Sequence, residues 1–275
     1  MKWKTKKDKH KTALTILAFV LACLYLLPIF WMVSSSFKSE KDIAAMKWLP
    51  SKASLQNYET IIKRAKIGRW FVNSVIVSVF STLGIVIISL FAGYSLGRLQ
   101  FSGKKFLFFL TILGFMIPFQ SIMIPLFLLL KKMHLVNTYG GLILPALASP
   151  ISIFILSQYF KGIDIEYEEA ARLDGASEIQ ILFRIMVPMA IPAIATVLIL
   201  SFTFSWNDFL WPLIIAQTDN MYTLPVGLVT LAGSDVNIRY GPIMAANVIA
   251  SLPVVIVYIL FQKYLVAGIT SEGMK

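Results

Sequence analysis

Residues 166–188 read EYEEAARLDGASEIQILFRIMVP, the longest polar interval in the second half of a chain that is otherwise mostly apolar. It carries Glu166, Glu168, Glu169, Asp174 and Glu178, with Asp164 just before it. Ile165 to Leu173 has good helix formers and no breaker. Its apolar side holds Ile163, Tyr167, Ala170, Ala171 and Leu173, and its polar side Glu166, Glu169 and Arg172. Gly175 suits the end of that helix. Ser177 with Gln180 three residues on matches a capping box for the next one. Ile179, Leu182, Phe183 and Met186 form an apolar face leading into the following apolar run. The pattern predicts two short helices joined through glycine and protruding as a knob. An ordinary amphipathic loop satisfies the same physics.

On both sides of this stretch lie long apolar runs. The 275 residues are 57% hydrophobic and 14% charged, with mean hydropathy +0.76. Soluble domains carry about 25% charged residues. This pattern predicts an all-α transmembrane protein crossing a membrane several times. We read a basic tail at 1–11 and a single transmembrane domain at 12–275. Its spans fall at about 12–33, 71–96, 106–130, 139–160, 185–204 and 242–266, with the polar loop at 161–184. Pro118, Pro125, Pro145, Pro150, Pro188, Pro192 and Pro253 are expected to kink or unwind their spans. Ser74, Ser78, Ser81, Gly84, Ser89, Gly93 and Gly97 make span two suitable for close helix contact.

The net charge of +11 does not indicate nucleic acid, because six of the 25 basic residues sit in the first eleven positions, directly before an apolar run. That is the pattern of a cytoplasmic anchor. The run that follows is too long for a typical signal peptide, so we expect a retained first span with both termini inside. The eight basic residues of 34–69, on the outer side in this topology, strain the positive-inside rule. The single Cys23 permits no disulfide within the chain.

The central parts of spans two, three, four and six hold no Asp, Glu, Lys or Arg. A charge at mid-bilayer costs about 2.5–3.5 kcal/mol on insertion scales, and ion-coupled carriers usually need one. Their absence argues against a secondary carrier. No HExxH, GxSxG or Walker A sequence exists, and His10 and His134 are far apart. The chain therefore offers neither evident chemistry nor an energy source of its own. Asp208, near the outer end of span five, is either a functional residue or an interfacial acid capping the segment that follows.

Glu169-Ala170-Ala171, then Gly175, then Ile185 and Val187-Pro188 resemble the EAA motif of permease subunits of binding-protein-dependent ABC importers. Val187 stands where that family's pattern has leucine. Ser205-Trp206-Asn207-Asp208-Phe209-Leu210-Trp211-Pro212-Leu213 is similar to a segment of maltose-type carbohydrate permeases. Thr223 to Leu228, Ala245-Ala246, Pro253, Gly268-Ile269-Thr270, Asn57-Tyr58 and Asn73-Ser74 match the same group. The closest likeness is to the second, six-span permease of the pair.

The resemblance implies a six-helix type I ABC importer permease with cytoplasmic EAA coupling helices. It implies import of a sugar or oligosaccharide by alternating access, driven by a partner ATPase. Glu168, Glu169, Ala170, Ala171, Arg172, Asp174, Gly175 and Pro188 are the expected coupling residues. Asn73, Gln120, Trp206, Asn207, Asp208 and Trp211 are candidates for the solute path or outer gate, aromatic rings and amides being suited to sugars. An interfacial aromatic belt accounts for the tryptophans equally. The implied partners are a second homologous permease subunit, two ATP-binding subunits, an extracellular or periplasmic solute-binding protein, the sugar and the lipid of a bacterial or archaeal plasma membrane. No cofactor or metal is expected on this chain, ATP and Mg belonging to the partner subunits. Glycerol-phosphate, polyamines or another small solute are alternative cargoes. A secondary carrier or a membrane scaffold is the alternative from another class.

Overall fold

The computed structural model describes residues 3–64, 66–234 and 239–272. Its elements are α1 (Trp3–Ser36), α2 (Glu40–Ala44), α3 (Gln56–Arg64), α4 (Ile67–Gly97), α5 (Lys104–Met116), α6 (Phe119–Lys132), α7 (Tyr139–Ile143), α8 (Pro150–Lys161), α9 (Glu166–Leu173), α10 (Glu178–Ile181), α11 (Val187–Met189), α12 (Ile191–Asn207), α13 (Leu210–Ile215), α14 (Leu224–Ser234) and α15 (Tyr240–Glu272). Among the described residues there is no strand, as the composition led us to expect.

Three helical stretches, Lys11–Ser36, Ile67–Gly97 and Tyr240–Tyr264, are each long and apolar enough to cross a membrane. Three bent pairs also qualify by composition. Lys104–Met116 meets Phe119–Lys132 at 100°, Tyr139–Leu147 meets Pro150–Lys161 at 41°, and Glu178–Met189 meets Ile191–Asn207 at 79°. Proline accounts for the first two breaks. A residue before proline is pushed out of helical geometry. Ile117 before Pro118 has φ −83° and ψ 117°, and Ser149 before Pro150 has φ −111° and ψ 88°. Pro150, Pro188 and Pro192 then stand in the first turns of α8, α11 and α12, where a missing N–H costs nothing. Pro28, Pro125 and Pro253 stay inside continuous helices, so only some of the prolines end a helix.

The chain divides into two compact units. The first takes the described residues up to 64 and those of 228–251. In it the chain after α1 is held by side-chain hydrogen bonds and an ion pair. Asp42 accepts from the backbone N–H and hydroxyl of Ser51 and pairs with Lys47 at 2.9 Å. These bonds hold the Asp42 carboxyl well below the usual carboxylate range. Asn57 donates to the carbonyls of Ser36 and Lys38, at 2.9 Å each. Glu40 accepts from the backbone N–H groups of Tyr240 and Gly241 at the start of α15, where a helix favours a negative charge.

The second unit takes the described residues of 66–227 and those from 252 on. Here α4 is the central post, packed against α8 and α12. Its contact with α8 depends on missing side chains. A Cβ on Gly93 would stand 2.8 Å from Leu156 Cβ, and one on Gly97 would stand 2.8 Å from the Ser157 carbonyl oxygen. The buried cluster at one end joins Tyr94, Leu156, Phe160, Ala171, Ile181 and Met186. At the other end Val77, Leu130, Leu142, Trp211 and Ile215 form a second cluster. Outward-facing Phe106, Phe109, Phe115 and Phe80 are exposed, as lipid-facing positions are.

Candidate functional site

The polar stretch forms the two short helices that its spelling predicts. Helix α9 ends at Gly175, whose φ of +81° is the left-handed geometry that glycine adopts freely. Ser177 then caps α10, its hydroxyl accepting from the Gln180 N–H while the Gln180 side chain accepts from the Ser177 N–H. After α10 the backbone widens into a π-helical segment, Leu182–Met186, and reaches α12 through α11. Pro188 is exposed in the first turn of α11, so it sits at the joint between knob and long helix.

An ion-pair network holds the knob to the end of α4. Arg98, at the C-cap of α4, donates from Nε to Glu168 Oε1 at 2.8 Å. The two side chains are 8% and 2% exposed. Arg98 Nη1 also donates to the carbonyls of Ile163, on the connection between α8 and α9, at 2.8 Å and of Phe160, in the last turn of α8, at 3.3 Å. Arg172 Nη2 reaches the other Glu168 oxygen at 3.4 Å, and Arg172 grips Glu178 by donating from Nε at 2.8 Å and from Nη2 at 3.2 Å. The Tyr94 hydroxyl donates to Glu178 at 2.7 Å. The Arg172 hydrogen bond draws the Glu178 carboxyl below its ordinary range, and Glu178 in turn raises the Arg172 guanidinium. Fixed planar donors of this kind suit arginine rather than lysine.

The predicted coupling residues therefore divide into two sets. Glu168 and Ala171 are buried, facing the protein. Glu169, Ala170, Asp174 and Gly175 are exposed on the opposite side, beside Leu173 at 89% exposure. Arg172 sits between the sets. Ile165, Tyr167 and Ile179 are likewise exposed, so the knob presents an apolar surface with acids among it. Reading the sequence missed Arg98 and Tyr94 as parts of this unit and left Glu178, though within the stretch, out of the coupling set. An arginine just after the long uncharged run of 71–96 was the available signal.

The outer candidates are brought together only in part. A cavity of about 790 Å³ opens between α4, α8 and the end of α12, and Asn207, Asp208 and Trp211 line it with Ser149, Ser152 and Phe119. Asp208 directly precedes α13, whose N-cap is Phe209, with its carboxylate beside the backbone N–H groups of Phe209, Leu210 and Trp211. Trp211 is buried, donates to the Gly141 carbonyl at 2.9 Å and packs edge-on to Phe119. Trp206 is buried against Phe71 and Phe202 and does not line the cavity. Asn73 is also buried elsewhere. Its amide donates to the carbonyls of Asn220 and Tyr222 at 2.8 Å each, and it accepts from the Tyr139 hydroxyl at 2.7 Å. Gln120 is exposed on the first turn of α6, outside the cavity.

Residues 85–271 match the family model described as "Binding-protein-dependent transport system inner membrane component". The chain belongs to this family. It is 36% identical over 271 residues to the arabinooligosaccharides transport system permease protein AraQ of Bacillus subtilis, covering 97% of this chain and 96% of that protein. It is 34% identical over 267 residues to the trehalose/maltose transport system permease protein MalG of Thermococcus litoralis, covering 95% and 96%. A solved structure, of a bacterial ABC transporter involved in import of the acidic polysaccharide alginate, contains a chain that superposes with a TM-score of 0.84 at 24% identity, over 94% of this chain and 98% of that one. The fold is accordingly that of an ABC importer permease, and the chain is a multi-pass membrane protein and a transport subunit rather than an enzyme.

Proposed function

We propose that this family member is the membrane-spanning subunit of an ATP-driven importer for an oligosaccharide, moved by a partner ATPase through the knob at 166–188. The observation that carries the coupling role is the two-sided knob. One side is locked to α4 by Arg98 and Glu168, and the other leaves Glu169, Ala170, Leu173 and Asp174 exposed. A face of that kind, apolar with acids, suits docking into a socket on another subunit. The cargo class rests on the relatives named for arabinooligosaccharides and for trehalose/maltose.

In this reading two ATP-binding subunits hold ATP and Mg, and a second homologous permease completes the membrane pair. An extracellular or periplasmic binding protein delivers the solute, consistent with the family description and with the alginate importer structure solved with a pentasaccharide-bound periplasmic protein. Both termini and the knob face the cytoplasm of a plasma membrane. Closure of the ATP-binding subunits draws the knob, Pro188 and the Pro192 turn pass the movement to α12, and the cavity at Asn207, Asp208 and Trp211 opens outward. Three of the eight outer-loop cations are already paired, Lys47 with Asp42, Lys63 with Glu59 and Lys66 with Asp219, which weakens that loop as an attractor for a phosphate-ester cargo.

The test is uptake into proteoliposomes holding this chain with its partner permease, ATP-binding subunits and binding protein. Labelled oligosaccharides should enter only with ATP and the binding protein present. Entry without ATP, or entry of glycerol phosphate or polyamines in place of sugar, overturns the reading.

A further inference from the structure

We propose that the knob end of α4, α5 and α8 holds one anionic phospholipid, its phosphate in a lysine-lined pocket and an acyl chain in the apolar groove beneath. A pocket of about 630 Å³ there is lined by Lys104, Lys105 and Lys161, with Gln100 and Gln158 as further donors. No carboxylate lines it. Lys104 is preset: its ammonium donates to the Leu99 carbonyl at 2.8 Å and reaches the Gly97 carbonyl at 3.5 Å, fixing it at the pocket wall. Lys105 and Lys161 are exposed.

A second cavity of about 420 Å³ shares Leu96 and Phe101 with this pocket. It is lined by Leu107, Leu110, Pro150 and Ile153 and holds no charged side chain. Lys161 and Ile153 lie on the same helix, eight residues apart, so the apolar cavity begins about 12 Å deeper at 1.5 Å per residue. Neighbouring Phe106, Leu107 and Phe109 are exposed to the hydrocarbon side. Three cations around one pocket, adjoining an apolar slot beside exposed apolar side chains, match a phosphodiester joined to an acyl chain. A free phosphate fits the upper pocket alone. Basic pockets between membrane helices on the cytoplasmic side take anionic headgroups for the same electrostatic reason. The inference rests on the reading that the knob end faces the cytoplasmic leaflet.

The test is native mass spectrometry of the detergent-purified complex titrated with dioleoyl phosphatidylglycerol, with dioleoyl phosphatidylcholine as the neutral control. Each lysine near an anionic surface is worth roughly a fivefold change in binding. Lys105→Gln with Lys161→Gln should therefore weaken phosphatidylglycerol about 25-fold and leave phosphatidylcholine unchanged. Lys131→Gln with Lys132→Gln, the same charge change at the end of α6, should leave both unchanged. Leu110→Trp, filling the groove, should weaken the lipid without changing retention of inorganic phosphate. Wild-type binding by the Lys105/Lys161 variant overturns the proposal, as does displacement of the lipid by equimolar inorganic phosphate. Loss of the ATP-binding subunits from that variant, with lipid retained, assigns the lysines to a protein interface instead. None of these readouts depends on which solute is carried, so they fail separately from the transport reading.

Discussion

Glu168 and Glu169 are adjacent, chemically identical and, on this structure, unlike in every consequence of their removal. Glu168→Ala leaves the Arg98 guanidinium without its 2.8 Å partner while Arg98 stays 8% exposed. Removing one member of a buried ion pair costs about 3–5 kcal/mol, because the other charge is left uncompensated. Arg98 keeps its two carbonyl acceptors, Phe160 and Ile163, which puts the expected cost near the lower bound, about 3 kcal/mol. The loss at Arg172 adds little, since Arg172 is 39% exposed and remains held by Glu178. At about 2–4 °C per kcal/mol for a domain of this order, the melting temperature should fall by roughly 6–12 °C.

Glu169→Ala touches no partner shown in the structure and should leave melting unchanged. Its effect belongs to coupling: ATP hydrolysis by the assembled complex should continue while solute uptake falls, and more so in Glu169→Lys. The assay pair is intrinsic-fluorescence melting of the purified complex together with the ratio of uptake to ATP hydrolysed in proteoliposomes. A third variant isolates the cause. Arg98→Met on top of Glu168→Ala removes the orphaned cation and should restore most of the lost melting temperature, as replacing a buried pair by apolar groups is close to neutral. Wild-type melting of Glu168→Ala, or no recovery in the double variant, refutes the assignment of this pair as the lock between α4 and the knob.

Other positions give equally separable outcomes. Gly175→Pro should leave membrane insertion intact and uncouple hydrolysis from uptake, because it removes the left-handed turn between α9 and α10. Gly93→Val should force α4 away from Leu156 and cost about 1–3 kcal/mol, visible in melting, while Gly68→Ala, with open space around it, should be tolerated. Asn73→Ala strands the carbonyls of Asn220 and Tyr222 and should cost about 2–3 kcal/mol, with limited proteolysis appearing first in residues 217–223. Glu178 gives a pH dependence. Its folded carboxyl binds protons less tightly than the ordinary 4.5, so its contribution is complete above that value and lost as pH falls through the lower, folded value. Melting temperature should drop on acidification below about pH 4.5, and Glu178→Gln should flatten that drop.

What the sequence conveys about this protein follows from the range over which each interaction acts. The helical knob is legible because its determinants are local. Gly175 ends one helix, and Ser177 and Gln180 begin the next within four residues. The all-helical membrane class is legible from runs of apolar residues and from the absence of charge within them. The proline breaks are half legible. Proline removes an N–H wherever it stands, but only the backbone of the residue before it shows whether the helix ends, as at Ile117, or continues, as around Pro125. The lock itself is not local at all. Glu168 and Arg98 are separated by 70 residues, and Arg98 counts in the sequence only as one of several basic residues at the edge of a span. The same distance blinds the reading of the outer segment, where Trp206 and Trp211 share one short run and one chemical type. Trp211 reaches the cavity and Trp206 fills a slot between Phe71 and Phe202. The choice between those fates is made by distant partners, Phe71 of α4 for Trp206, and Gly141 and Phe119 for Trp211. For this chain, then, spacing identifies the knob, and tertiary contact decides what holds it.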